Sequence, residues 1–201
     1  MLLEIEGVKI MTDPGSFTSA QNDVVGLDAV LITHSHQDHY HAESVPLIVK
    51  NNPTALFVTN GEVGELLKKE GVSFTKVSDG ESADVKGVKI EGFGTKHAEI
   101  YQDIGQVENT AYLVGEKFYF PGDNFHNPNK PVDVLALPVA GPWMKISMAI
   151  DFVKEIKPRA GFGVHDGLLV PAFRGYAEMA IKRSVPEIEF VTLADGETRE
   201  F

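Results

Sequence analysis

The chain has 201 residues, 43% hydrophobic and 23% charged, a balance that suits one folded domain over residues 1–201 and excludes a disordered chain. Its formal net charge of −11 works against sequence-independent binding to nucleic acid, which needs basic side chains to neutralise phosphates, and the nearest approach to a basic cluster is Lys68 with Lys69. There is no cysteine, which removes disulfides, Cys-zinc sites, iron–sulfur clusters and thiol nucleophiles; the start MLLEIEG lacks a basic leader, so the expectation is a cytoplasmic chain with no membrane partner.

In chain order, LLEIE, Gly7 and VKIMTD predict two strands around a tight turn, and Asp28 to Thr33 (DAVLIT) predicts a buried strand ending at His34. Ser44 to Asn51 predicts a short helix, ALFVT a strand, and Glu62 to Glu70 a helix with Asn60 as its cap and Gly71 as its stop. SFTKV, VKIEGFGTKH, TAYLV, KFYFPGD and VDVLALPV then supply strands in succession before the loop AGPWMK. Ile146, Ala149, Ile150, Val153 and Ile156 recur at helical spacing and must stop before Pro158. AGFGVH reads as a strand ending in His165, Phe173 to Ser184 as a helix, and IEFVTL as a closing strand. Strands alternating with surface helices, plus a run of consecutive strands, predict two sheets covered by helices on their outer faces.

Of seven histidines, four fall in the segment THSHQDHYH, at positions 34, 36, 39 and 41. His34 and His36, two apart, point the same way in extended backbone, and a following turn brings Asp38 and His39 back beside them. Imidazole and carboxylate suit zinc, manganese or iron, and a catalytic ion needs about three protein ligands with a position left for water. One loop cannot supply that for two ions. The remaining candidates, His97, Asp123 and His165, each follow a predicted strand.

The order HxHxDH, a single His, Gly-Asp and a final His resembles the metallo-β-lactamase superfamily, spread from about position 13 to position 167. Thr33-His34 after an apolar strand, Asn109 ahead of the strands leading to Gly122-Asp123, and His165 after a Lys-Pro stop carry the match. Asp13-Pro14 is similar to the Asp-Pro of the subgroup related to ascorbate-6-phosphate lactonase. The resemblance implies an α/β (α+β) four-layer αββα sandwich. It implies one metal on His34, His36 and His97, another on Asp38, His39 and His165, and Asp123 bridging the two. The ions expected are two divalent metals, zinc first, with manganese or iron as alternatives.

Most members begin with a further strand ahead of the one at Leu2, so the first sheet is expected to be one strand short, with an edge open to pairing in a homo-oligomer. Tyr40-His41-Ala42 stands where glyoxalase-like and quorum-lactonase-like members carry Gly-Gly, which argues against those substrates. His36, where flavodiiron-type reductases carry Glu, argues against redox chemistry.

Two divalent ions with Asp38, Asp123 and a bridging hydroxide leave a centre of about +1, suited to an anionic oxygen. The expected function is therefore hydrolysis of a small anionic ester, lactone or phosphate-bearing substrate through a metal-bound hydroxide, with Asp38 as the catalytic carboxylate. His41, His126 and Lys145 are candidate substrate contacts. The alternatives are a metal-bound scaffold without turnover and, below it, a phosphodiesterase or nuclease.

Overall fold

In the computed structural model, which describes all of residues 1–201, a tight turn opens each sheet. Glu6 and Gly7 both hold positive φ (52° and 78°), the geometry of a two-residue type I′ turn, so β1 (Leu2–Ile5) folds back antiparallel on β2 (Val8–Thr12), Ile5 facing Val8. Parallel pairing continues through β3 (Ala29–Ile32), β4 (Leu56–Thr59) and β5 (Phe74–Lys76), in the order β1-β2-β3-β4-β5. Parallel neighbours need crossovers. Helices α1 (Val45–Asn51) and α2 (Gly61–Lys69) lie in two of them, and the Asn60 side chain caps α2 by accepting from the Val63 N–H at 3.0 Å.

The second sheet has seven strands. β6 (Ser82–Val85) and β7 (Val88–Phe93) form a hairpin over Lys86 and Gly87, again with positive φ (53° and 90°). β8 (Ala111–Val114) and β9 (Phe118–Phe120) continue antiparallel, then β10 (Val134–Pro138), β11 (Ala160–Val164) and β12 (Glu189–Val191) run parallel. Helices α3 (Ile146–Ile156) and α4 (Pro171–Ser184) occupy the last two crossovers.

Side-chain alternation sorts these elements into four layers. In β3, Ala29 and Leu31 enter the core between the sheets, while Val30 and Ile32 meet Val45, Ile48, Val63 and Leu67 of α1 and α2. In β10, Val134 and Ala136 face the first sheet, while Leu135 and Leu137 meet Phe152, Val153, Ala177 and Ile181 of α3 and α4. Both strands are buried on both faces, which is why they read as continuous apolar runs. Truncating a fully buried side chain such as Leu31 to Ala would cost about 2–5 kcal/mol.

The four-layer sandwich is the architecture expected from the sequence. β1 pairs with β2 alone and so lies at a sheet margin, as expected. Four local differences stand out. Strand β6 was not expected, because SADV is short and leaves Ser82 and Asp84 exposed. The strand expected to run to His97 stops at Phe93, ahead of Gly94 at φ 75°, so His97 sits in the loop beyond. Helix α4 starts at Pro171, where proline's missing N–H costs nothing, rather than at Phe173. Short 3-10 turns at Ala20–Asp23 and Asp166–Leu168 carry no periodic signal. No helix is long and apolar enough to cross a membrane.

Candidate metal centre

The segments that follow β2, β3, β9 and β11 supply Asp13, the His34–His39 loop, Asp123 and His165. The chain must turn sharply at these ends to aim side chains inward. Asp13 and His165, each the first residue past its strand, hold positive φ (43° and 64°), sparsely populated for non-glycine residues and a form of strain that collects at functional sites. Gly122, at φ 62°, makes the corresponding turn before Asp123; a Cβ there would lie 2.4 Å from Asn109 Oδ1 and 2.8 Å from Thr33 Cβ. Only glycine fits.

All seven expected ligands converge. His165 Nε2 lies 3.2 Å from His39 Nε2, 3.2 Å from Asp38 Oδ2 and 3.2 Å from Asp123 Oδ2. His39 Nε2 is 3.3 Å from Asp123 Oδ1 and 3.7 Å from Asp38 Oδ2, and His97 Nε2 is 3.4 Å from Asp123 Oδ2. The His34 ring centroid lies 4.8 Å from that of His36 and 5.0 Å from that of His97, with His36 and His97 4.6 Å apart.

Three groups have donor atoms all within 4.8 Å of one another: His34 with His36 and His97, Asp38 with His39 and His165, and Asp13 with His34 and His39. In the last, Asp13 is taken up by the bond from His39 Nδ1, which leaves the first two as ligand groups. Tetrahedral zinc, with bonds of about 2.1 Å, sets its ligand atoms about 3.4 Å apart, close to the separations in the second group. Three further atoms fit a cation. His34 Nε2, His97 Nε2 and Asp123 Oδ1 are buried with no hydrogen-bond partner, a costly condition that an ion on those lone pairs would relieve. His165 Nδ1 is likewise buried and unpartnered.

Supporting bonds set which nitrogen faces inward. Asp13 accepts from His39 Nδ1 (2.6 Å), Thr33 N (2.8 Å) and Thr33 Oγ1 (2.7 Å), so His39 carries its proton on Nδ1 and presents Nε2 as an acceptor. Thr33 Oγ1, already donating to Asp13, accepts from His34 Nδ1 at 2.9 Å, which frees His34 Nε2. The Ala98 carbonyl accepts from His97 Nδ1 at 2.6 Å with the same result. Asp123 is anchored by its N–H donating to Asn109 Oδ1 (3.0 Å) and by the indole of Trp143 donating to Oδ2 (2.8 Å).

Burial drives His34 well below the ordinary imidazole pKa and lowers His36, so both are neutral, the form that binds metal. Burial also opposes charge on His39 and His165, but facing carboxylates win: Asp13 raises His39, while Asp123 and Asp38 push His165 up to about 10. Burial also opposes charge on Asp38 and Asp123, but the bonds from His165 to both and from His97 to Asp123 outweigh it, and both fall below the usual carboxylate range, Asp123 far below it. Without metal, the proton on His165 thus balances part of the carboxylates' charge.

The expected substrate contacts lie differently. His41 Nδ1 bonds Ser44 Oγ (2.9 Å) at the start of α1, and its N–H donates to the Pro14 carbonyl (3.1 Å). His126 is half-buried beside Gly94, its carbonyl accepting from Tyr119 Oη at 2.7 Å. Lys145 is exposed at the start of α3. None of the three makes a hydrogen bond or ion pair with the cluster. Asp13 and Trp143 received no site role from the sequence. Asp13 was visible as half of an Asp-Pro pair, whereas Trp143 had no signal beyond being the chain's one tryptophan.

Comparison with known proteins places this geometry. The profile of the beta-lactamase superfamily domain matches residues 1–165. Protein Rv0786c of Mycobacterium tuberculosis is 33% identical over 180 residues, covering 87% of this chain and 84% of its own. The UPF0173 metal-dependent hydrolase Ta0764 of Thermoplasma acidophilum is 26% identical over 148 residues, 69% of this chain and 65% of its own. Among solved structures, the metallo-beta-lactamase fold protein YhfI from Bacillus subtilis superposes with a TM-score of 0.67 at 15% identity, covering 96% of this chain and 86% of that one.

Proposed function

Since the chain belongs to the metallo-β-lactamase superfamily, we propose that it is a metal-dependent hydrolase with a binuclear centre, acting on a small anionic ester, lactone or phosphate-bearing substrate. The observation that carries this reading is the pair of ligand groups flanking Asp123, whose Oδ2 faces a member of each, His97 and His165, while Oδ1 faces His39. Two divalent ions, zinc foremost and manganese or iron as alternatives, would supply Lewis acidity and a water with pKa near about 7. The protein supplies the rest. Asp38 is less buried than Asp123, with its side chain 24% exposed against 5%, so it is the carboxylate placed to meet an incoming substrate and accept a proton.

The rim bears on the substrate. Phe17, 66% exposed, lies on the segment whose Ser16 N–H bonds the Gln37 carbonyl, and its ring reaches within 3.9 Å of where a Cβ on Gly167 would stand. Leu168, Val170 and Phe173 continue the exposed apolar surface past His165. Across the cluster, Tyr101 and Ile104 are exposed on the loop whose Gly105 abuts His36. This favours an ester that joins its anionic group to an apolar one. His126 and Lys145 remain the proposed substrate contacts, and the bond to Ser44 favours a supporting part for His41.

The same reading takes the chain as one domain, working in the cytoplasm and pairing with a second copy along the free edge of β1, within the subgroup related to ascorbate-6-phosphate lactonase. Light scattering that finds only monomer at micromolar concentration would count against the pairing. The enzyme reading is tested by a hydrolysis panel of lactones, carboxylic esters, phosphodiesters, thioesters and amides. Turnover should vanish on chelation and return with two equivalents of metal. A protein that binds two ions and hydrolyses none of these is instead a scaffold.

A further inference from the structure

The strongest unassigned feature beside the cluster is the one indole in the chain. Trp143 lies in the loop after β10, is 5% exposed, and its Nε1–H donates to Asp123 Oδ2 at 2.8 Å. An indole N–H can only donate, and when buried it must find an acceptor. Here the acceptor is a carboxylate 20 residues away in sequence, among imidazoles. Other contacts fix the indole in that pose. Phe125 packs on it with ring centroids 5.1 Å apart, His97 meets it edge-on at 6.1 Å, and a Cβ on Gly141 would come within 2.8 Å of Nε1. The loop therefore keeps a glycine where any side chain would push the indole off the carboxylate.

Asp123 is thus held at both ends, its backbone N–H by Asn109 and its Oδ2 by Trp143, and Oδ1 is left buried without a hydrogen-bond partner. Resting on the metal-centre reading above, we propose that Trp143 is a positioning residue that locks the rotamer of the bridging carboxylate so that its free lone pairs face both metal groups. The bond occupies one lone pair of Oδ2 and leaves the others for metal. A swung carboxylate would still ligate one ion while losing the other, so the loss should fall on the second equivalent of metal.

The test uses the full-length protein stripped by chelator and titrated with zinc. With one tryptophan, all indole emission reports on position 143, and wild type should change emission as metal binds and level off at two equivalents. Trp143→Phe keeps an aromatic ring but not the N–H. Replacing tryptophan biosynthetically by benzothienylalanine, in which sulfur stands for the N–H, keeps the ring outline and alters only this position. Both, read by calorimetry because neither retains the indole, should weaken the second metal equivalent by about 10–100-fold while sparing the first, and Gly141→Ala should mimic them. Phe125→Leu, which loosens the packing but spares the N–H, should leave metal affinity near wild type. If the benzothienylalanine protein binds both equivalents within about twofold of wild type, the inference is wrong while the metal centre stands. If wild type takes up no metal, the metal-centre reading falls and this inference with it.

Discussion

Asp13→Asn is the substitution that bears hardest on how this site is assembled. The carboxylate accepts three bonds, from Thr33 N, Thr33 Oγ1 and His39 Nδ1, at 2.6 to 2.8 Å, and its side chain is 7% exposed. Asparagine matches it in size and tolerates positive φ, so the strained backbone at φ 43° is no obstacle. An amide, however, must put its NH2 somewhere. Facing Thr33 N, it sets donor against donor; facing Oγ1 and His39, it drives the imidazole proton from Nδ1 to Nε2, the atom aimed at the cluster. Losing a charge-assisted bond costs about 1.5–3 kcal/mol, and leaving a buried donor unpaired about 1–3 kcal/mol. A total near 3 kcal/mol corresponds to a fall of about 6–12 °C in melting temperature for a chain of this size. Zinc affinity at the His39 group should fall by about 10–100-fold from the wrong tautomer. Thermal melts of the metal-free variant and competition against a chelator measure the two effects separately. If metal affinity stays within about threefold of wild type, Asp13 does not set the tautomer of His39 and the supporting chain from Thr33 is misread.

Two more outcomes follow from the same cluster. In the metal-free protein the carboxylates hold His165 at about 10, well above 6.5, so at pH 7 it carries a proton that metal must displace. Apparent affinity should therefore rise with pH, by about tenfold per unit for each proton released, and flatten near pH 10. Calorimetric titrations in two buffers of different protonation enthalpy read the release, and a value of zero at pH 7 would contradict the charge balance described. Asp38→Asn should lower kcat by about 10² or more on any substrate the wild type cleaves, even with metal added back, whereas His41→Ala and His126→Ala should shift KM or metal affinity and spare turnover. Full activity in Asp38→Asn would remove that carboxylate from the reaction.

The division between what could be read from the sequence and what could not follows from the range of the forces involved. Candidate ligands at strand ends are visible as His and Asp behind apolar runs, and His34, Asp123 and His165 follow closely on β3, β9 and β11. The layers were legible because β3 and β10 are buried on both faces and bounded by turn residues. Hairpin β6–β7 was not, since its first strand alternates weakly and its signal rests on one Lys-Gly turn.

The residues that tune the ligands fared worst, for a physical reason. A supporting bond needs one donor facing one acceptor, which any polar side chain can provide from any distance along the chain, so spacing carries no trace of it. Asp13 reaches His39 across 26 positions, and Asn109 reaches Asp123 across 14. Such partners become visible only when folding brings strand ends together, and their selectivity lies in direction. Carboxylate and carbonyl acceptors fix Nδ1 protons on His39 and His97, so that Nε2 faces the centre on both. On the proposed binuclear reading, the candidate ligands would make metal chemistry available, and the tautomers with the rotamer of Asp123 would decide whether two ions can share one carboxylate.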